Sequence, residues 1–492
     1  MAPTSVLAYD SAMSPSADLF DSWVAKLRQR NQGKSKFNSK SSSIVSSLGK
    51  QYLHLDLSVS AENPEDWKCL ISKEAVRKRA FYPFLRTVKS NKRYQKVDGK
   101  RRKHPDGPKE RGICCAAHHD SLVYSWYSFL LEQAFENRIK TSVLDECILA
   151  YRAKGKNNLH FSKEVFDYIS QTEECVSIAT DVTGFFDNLD HKILKYAWKD
   201  FLGEPVLPPD HYNVFKAMTR FRWLEEEEMV TALGEKEYAK RTRRRRITHP
   251  AVFRQKLVPI QKTNTKKCGI PQGAPLSAVL SNLYMYELDM KMQQFAAQCN
   301  GIYRRYSDDL LLIVPKAFSE AAEEFTVECL QQRELSVNPK KTEIRYFQRA
   351  DTGVLSCLSK TGIPASMQYL GLEFNGCVIR IRSASLAKYH HRLRRSVHKT
   401  VRRSLTHNKK GRGKVFKRAL YSRYTHLGQS NFISYTKRAA KITGSQAIIR
   451  QLGNTISRVN QQVSRELSRF NDPQYLVRRV KSKNYRKIPK AA

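Results

Sequence analysis

The sequence predicts an α+β protein, and three stretches carry that prediction. Gly301-Ile302-Tyr303-Arg304-Arg305 and Leu310-Leu311-Leu312-Ile313-Val314 flank Tyr306-Ser307-Asp308-Asp309. Their alternation and their β-branched and aromatic content read as a hairpin with the carboxylates at its turn, ended by Pro315. Ser177-Ile178-Ala179-Thr180-Asp181-Val182 reads as a short strand delivering Asp181. Leu276, Val279, Leu280, Leu283, Tyr284 and Leu288 have helical spacing and follow the loop Gly269 through Ser277, whose glycines and prolines punctuate the chain. At 492 residues the chain exceeds one compact core, and about two to four subdomains are expected.

Taken in order, residues 1–50 form an arm or linker, with a short apolar helix over Leu19 to Leu27 and a Ser/Lys-rich stretch from Gly33 to Ser47. Residues 51–172 hold Phe81 to Arg86, a basic run from Lys89 to Lys109, and a helix over Ser121 to Ile139. Residues 173–200 carry the Asp181 strand, and Asp190 caps a helix that begins near His191. Residues 201–261 read as a helical insertion. In it, Glu225 to Glu228 read as a solvated helix face, and the cluster Arg241 to Arg246 is either solvated or RNA-facing. Residues 262–376 hold the loop and the hairpin, 377–470 a set of basic helices, and 471–492 a basic tail.

Charge narrows the partners. Lys plus Arg number 87 and Asp plus Glu 46, a net charge of +41, which points to a polyanion. The excess is concentrated: from Phe374 to Arg465, 92 residues, there is no acid and there are 22 Lys or Arg. Tyr389, Leu393, Val397, Val401 and Leu405 recur at helical spacing within it, so amphipathic helices with a cationic outer face are expected. Arg394, Arg395, Arg402 and Arg403 are the candidate phosphate contacts. A bland basic surface would keep acids as salt-bridge partners, and this span keeps none. No amphipathic anchor and no apolar run near ~18 residues is found, so no membrane partner is expected. The ten cysteines include no Cys-x-x-Cys, and Cys114, Cys115, His118 and His119 fit no common zinc spacing. Free thiols and a cytoplasmic location are expected.

Two adjacent acids at a turn repel each other, and a divalent cation supplies a reason to keep them. Mg²⁺ takes carboxylate oxygens together with substrate phosphates. A second acid on a separate strand allows two ions roughly 3.5–4 Å apart, an arrangement that stabilises the attacking and leaving oxygens of a phosphoryl displacement. The bland alternatives are a solvated turn and an ordinary loop before a helix.

In order and spacing these segments resemble the reverse-transcriptase palm. Asp181 through Phe186 is similar to its first motif, Gly269 through Ser277 to its second, and Tyr306-Ser307-Asp308-Asp309 to its Tyr-x-Asp-Asp third. Val337 through Thr342 resembles the fourth, Tyr369-Leu370-Gly371-Leu372 the primer grip, and Pro108 through Ile113 a fingers segment. The resemblance spans about residues 80–440 and implies a right-hand polymerase architecture: fingers, a palm with an antiparallel sheet, a helical thumb and a basic helical C-terminal extension. It implies RNA-directed DNA synthesis from deoxynucleotides with two Mg²⁺ ions. By resemblance Asp181 and Asp308 bind both metals, Asp309 supports them, and the Val182 carbonyl completes a shell. Phe186 is a steric gate against a ribose 2′-hydroxyl, Gln272 touches the incoming nucleotide or the template, and Lys109 and Arg111 clamp its triphosphate. Lys341 protonates the leaving pyrophosphate, with Lys340 as the neighbouring alternative. Tyr369 and Gly371 would contact nucleic acid.

Gly428-Gln429-Ser430-Asn431-Phe432-Ile433-Ser434-Tyr435 resembles the C-terminal region of bacterial defence-associated reverse transcriptases. That implies an antiphage enzyme copying a structured noncoding RNA, which serves as template and scaffold, into DNA. Some relatives form homo-oligomers and some prime from a protein side chain. Retron-type, group II intron-derived and template-independent enzymes stay open as alternatives, as does a non-enzymatic RNA scaffold.

Overall fold

The computed structural model describes residues 17–35, 52–59, 64–91, 94–97, 100–103, 105–172, 174–239, 246–339, 341–406 and 415–471. It is α+β, as the sequence reads. The chain divides into two compact units. One comprises Met1–Arg152, Thr180–Leu312 and Glu320–Thr342; the other comprises Ala153–Ala179, Ile313–Ser319 and Glu343–Ala492.

The first unit contains a four-stranded sheet in the order Lys109–Cys115, Phe84–Asn91, Arg222–Glu225, Lys262–Thr263. Phe84–Asn91 runs antiparallel to Lys109–Cys115, with Lys89 opposite Arg111, and parallel to Arg222–Glu225, with Arg86 opposite Glu225. Leu55, Leu224, Met229, Leu233 and Leu257 are buried in the apolar cluster beside it. The acidic run is therefore split. Glu225 ends a strand and pairs with Arg86 at 2.6 Å, while the helix Glu226–Leu233 begins one residue later. The predicted helix at Leu19 to Leu27 is longer, Ala17–Ser35. The Ser/Lys stretch beyond it, Arg241 to Arg245, Lys340 and residues 472–492 lie outside the described residues, as does the side chain of Lys109.

Helix His118–Ile139 starts on Asp56, whose carboxylate accepts from the backbone N–H of His118 (3.0 Å) and of His119 (2.9 Å). Those N–H groups have no partner within the helix, so a carboxylate there is doubly favoured. Burial alone would raise the Asp56 pKa, but these bonds and those from both imidazoles hold it well below the usual carboxylate range. This is the employment of the two histidines, and burial pushes the Cys114 thiol up to about 12, which keeps it protonated. All ten cysteines are free. No described helix is long and apolar enough to cross a membrane.

A five-stranded sheet has the order Leu355–Leu358, Glu343–Arg349, Cys175–Asp181, Asp309–Pro315, Ile302–Tyr306. Glu343–Arg349 lies antiparallel to Leu355–Leu358 and to Cys175–Asp181. Cys175–Asp181 and Asp309–Pro315 lie inside the sheet and most of their residues are buried, which explains the unbroken apolar run Leu310 to Val314.

The second unit has a three-stranded antiparallel sheet, Met367–Tyr369, Leu372–Phe374 and Ile379–Ile381, followed among the described residues by five helices. Tyr389, Leu393, Val397 and Val401 form a buried stripe along helix Ser383–Thr406 and pack with Leu420, Ile433, Val459 and Val463. Each fully buried aliphatic side chain contributes roughly 1.5–3 kcal/mol. Arg392, Arg394, Arg395, Lys399, Arg402 and Arg403 are exposed on the remaining face. The first acid after the acid-free span, Glu466, meets His398 Nδ1 at 2.5 Å. In the segment Gly428 to Tyr435, Asn431 caps helix Phe432–Thr443 and its amide donates to the carbonyls of Ser422 and Thr425. A Cβ on Gly428 would stand 1.7 Å from the Ser422 carbonyl oxygen, so only glycine fits.

Candidate active site

Asp181 is the last residue of its strand, and the chain leaves it beside 336–338. Thr183 N donates to Ser336 O (2.9 Å) and Asn338 N donates to Asp181 O (2.9 Å). This pair of bonds brackets Val182 opposite Val337. In such a wide antiparallel pair the bracketed residues turn their own N–H and C=O away from each other. The Val182 carbonyl is therefore aimed at the strand's other edge, the edge on which Asp309–Pro315 lies in the sheet order.

The hairpin brings the other two acids. Its strands are Ile302–Tyr306 and Asp309–Pro315, and Ser307 and Asp308 form the turn. Ser307 has φ 64° and Asp308 is not in the positive-φ region, the sign pattern of a II′ turn, where glycine is the ordinary occupant. A left-handed serine costs roughly 1–2 kcal/mol. What holds it is a buried network beneath. Arg305 and Asp289 are both fully buried and joined by two bonds of 2.7 Å, and Arg305 Nη1 donates to Ser307 O at 3.2 Å. Tyr303 Oη donates to the same aspartate at 2.8 Å. Asp308 is half-buried and Asp309 exposed, so the acids face outward from a fixed base.

Lys341 reaches the first acid: its ammonium is hydrogen-bonded to Asp181 Oδ1. This pairing could not be read from a separation of 160 positions. It shows the carboxylate drawing a cation to itself. Among the described residues no group of three His, Cys, Asp or Glu side chains is assembled to hold a metal. Two carboxylates and a carbonyl on neighbouring strands still fit Mg²⁺, which keeps several waters and is bound through one or two carboxylates plus substrate phosphates.

The remaining predicted residues divide into three places. Phe185 is buried and Phe186 half-buried, edge-on at 5.3 Å, so the second ring is the one with a free side. The second motif is stitched to the first and to the four-stranded sheet. Ile270 N donates to Phe186 O (2.9 Å), Gly269 N to Leu189 O (2.9 Å), and Cys114 N to Gln272 O (2.8 Å). A Cβ on Gly269 would meet Asp187 O at 2.9 Å, and one on Gly273 would meet Cys114 O at 2.7 Å, both with positive φ. Gln272 is half-buried, and Arg111 is exposed on the strand that carries Cys114. Asp190 caps helix His191–Leu202 through bonds from Lys192 N and Ile193 N, as its position predicts. Tyr369 and Gly371 belong to the second unit. There the turn Leu370-Gly371 is held by Asn158 Nδ2 donating to Leu370 O at 2.8 Å and by Ser162 Oγ donating to Tyr369 O at 3.2 Å. Tyr151, whose hydroxyl lies 3.0 Å from Ser307 Oγ, is a neighbour of the acidic turn that sequence reading missed.

Retron Ec86 reverse transcriptase of Escherichia coli is 37% identical over 97 residues, 19% of this chain and 30% of that protein. The match thus spans under a third of the length of the curated relative. Among solved structures, apo telomerase from Candida tropicalis, truncated from its C-terminal domain, is similar with a TM-score of 0.38 and 11% identity. That likeness covers 61% of this chain and 57% of the other. Telomerase from Candida albicans in complex with a fragment of telomeric RNA has a TM-score of 0.34 and 10% identity, over 80% and 63%. The family described as reverse transcriptase (RNA-dependent DNA polymerase) matches residues 125–374. Since that match takes in just over half of the 492 residues and contains both the Asp181 strand and the Asp308 hairpin, this chain belongs to the reverse transcriptase family.

Proposed function

We infer that the chain is an RNA-directed DNA polymerase that extends a strand with deoxynucleotides. The observation that carries the reading is the adjacency of two strands in one sheet, one ending in Asp181 and the next beginning beside Asp308. In this reading Asp181, Asp308, Asp309 and the Val182 carbonyl hold two Mg²⁺ ions, which supply charge stabilisation to the attacking and leaving oxygens. Arg111 grips the triphosphate by its planar fork and Lys109 as a point charge. Gln272 lies against the nucleotide or template. Phe186 rejects a 2′-hydroxyl with the free side of its ring. Lys341, whose ammonium meets Asp181 Oδ1, would be the group that protonates the departing pyrophosphate.

The template is a structured noncoding RNA. Its phosphates lie on Arg394, Arg395, Arg402 and Arg403, and the Tyr369–Gly371 turn grips the growing end. The DNA product serves antiphage defence, a reading supported by the Gly428 to Tyr435 segment. A retron-type enzyme is the second reading, favoured by the identity to a retron reverse transcriptase. Sequencing the RNA that co-purifies, and the DNA made from it, separates the two. Residues 51–172, 173–200 with 262–376, and 377–470 are assigned to fingers, palm and thumb.

The test is primer extension on an RNA template with dNTPs and Mg²⁺, run on the wild type and on Asp308→Asn. Synthesis by the wild type alone is expected. Synthesis by both would remove the two-metal assignment, and synthesis by neither on any template would remove the activity.

A further inference from the structure

We propose that Tyr151 is a positioning residue for Asp308, acting through the hydroxyl of Ser307; its consequence for DNA synthesis rests on the polymerase reading above. Tyr151 lies outside every motif that carries the resemblance. Its Oη is nevertheless 3.0 Å from Ser307 Oγ. Both residues have left-handed backbones, each with φ 64°. Side-chain-bearing residues persist there only where their surroundings over-determine them.

Those surroundings can be named. On one side of Tyr151, the chain is laced to the hairpin and to helix Ser277–Gln298: Arg305 N donates to Cys147 O (2.8 Å), Leu149 N donates to Arg305 O (2.9 Å), and Asn282 Nδ2 donates to Ala150 O (3.2 Å). On the other side, the Arg152 guanidinium is tied to the carboxylates of Glu136 and Asp145 and to the carbonyls of Asp145 and Ile148. The backbone must reverse between two fixed anchors, and the reversal turns the phenol toward the acidic turn. Tyr151 as a residue is 48% exposed, so apolar burial does not account for its placement.

Ser307 is thereby held at both ends. Its carbonyl accepts from the buried Arg305 and its hydroxyl meets Tyr151. Asp308 follows directly, so rotation of the turn is opposed from two directions and the carboxylate is presented in one orientation before any substrate arrives. Such preorganisation matters because misplacement by about 1 Å can cost on the order of 10²-fold in rate. The serine that this chain carries as the x of Tyr-x-Asp-Asp is the residue that meets Tyr151.

The experiment uses the full chain and the variants Tyr151→Phe, Ser307→Ala and the double variant, with Ser307→Gly as a hydroxyl-free form that relaxes the left-handed backbone. Each single variant should lower kcat by about 5–20-fold, with the dNTP KM and RNA affinity within about twofold. The double variant should be no slower than the slower single one, because one bond is removed twice. Additive effects, or an unchanged kcat in Tyr151→Phe, would overturn the proposal. Amide hydrogen exchange at residues 307–309 of the metal-free protein gives a readout independent of synthesis. It should quicken at least about fivefold in Tyr151→Phe and in Ser307→Gly. Unchanged exchange would overturn the proposal even if activity fell. Faster exchange in a chain that makes no DNA would uphold the positioning and remove the polymerase reading instead.

Discussion

The acidic turn and the basic helices solve opposite problems. At Ser307-Asp308 the chemistry depends on single residues whose backbone is fixed by a buried ion pair, a strained φ and a few named hydrogen bonds. Along Ser383–Thr406 the proposed RNA contact depends on repetition: a buried stripe on one side, and exposed arginines on the other. In the proposed function a site of the first kind loses nearly all activity when one of its carboxylates is neutralised. The second fades in proportion to the charge removed. A polymerase of the kind proposed above, which places a phosphorus atom and also holds a long polyanion, needs both.

The sharpest way to break this contrast is Asp308→Asn. Synthesis should fall by at least about 10³-fold while RNA affinity stays within about twofold. A matching fall in RNA binding in a filter-binding titration would mean that the turn and the basic face are not separate sites. Next in size, changing Arg394, Arg395, Arg402 and Arg403 together to Glu should weaken RNA binding by about 10²-fold at physiological salt. It should also flatten the salt slope by about 3, since each phosphate left without its arginine removes roughly 0.7. A wild-type affinity indifferent to salt would mean that this face meets something other than phosphate. Lys341→Ala should reduce kcat on the order of 10²-fold and leave the dNTP KM nearly constant; a KM effect alone would make it a binding residue. The smallest effect is expected at the half-buried ring. Phe186→Val should raise the ribo/deoxy incorporation ratio by about tenfold, and an unchanged ratio would return Phe186 to the core.

The same contrast explains what could be read in advance. The hairpin, the Asp181 strand, the cap at Asp190 and the stripe from Tyr389 to Val401 are local patterns, so period and turn chemistry were enough to find them. Residues 222–225 were not recognisable as a strand, because their partner lies at Phe84–Asn91 and the following glutamates dominate the pattern. The left-handed serine was hidden because glycine would have been the signal. The hydrogen bond between Tyr151 and Ser307 spans 156 positions, and that between Lys341 and Asp181 spans 160, so neither leaves a mark in spacing. The candidate site was legible where residue type alone implied chemistry, and illegible where a contact joins residues distant in sequence.

Gly269 and Gly273 carry one last consequence, for anyone who would engineer this molecule. Exchanging glycine for alanine is a common route to a sturdier protein, because it stiffens the unfolded chain. At these two rivets it would do the reverse: an added methyl group drives into the carbonyl of Asp187 or of Cys114. Either exchange would push the loop off one of its two supports, so a thermostabilised variant has to be sought at other positions.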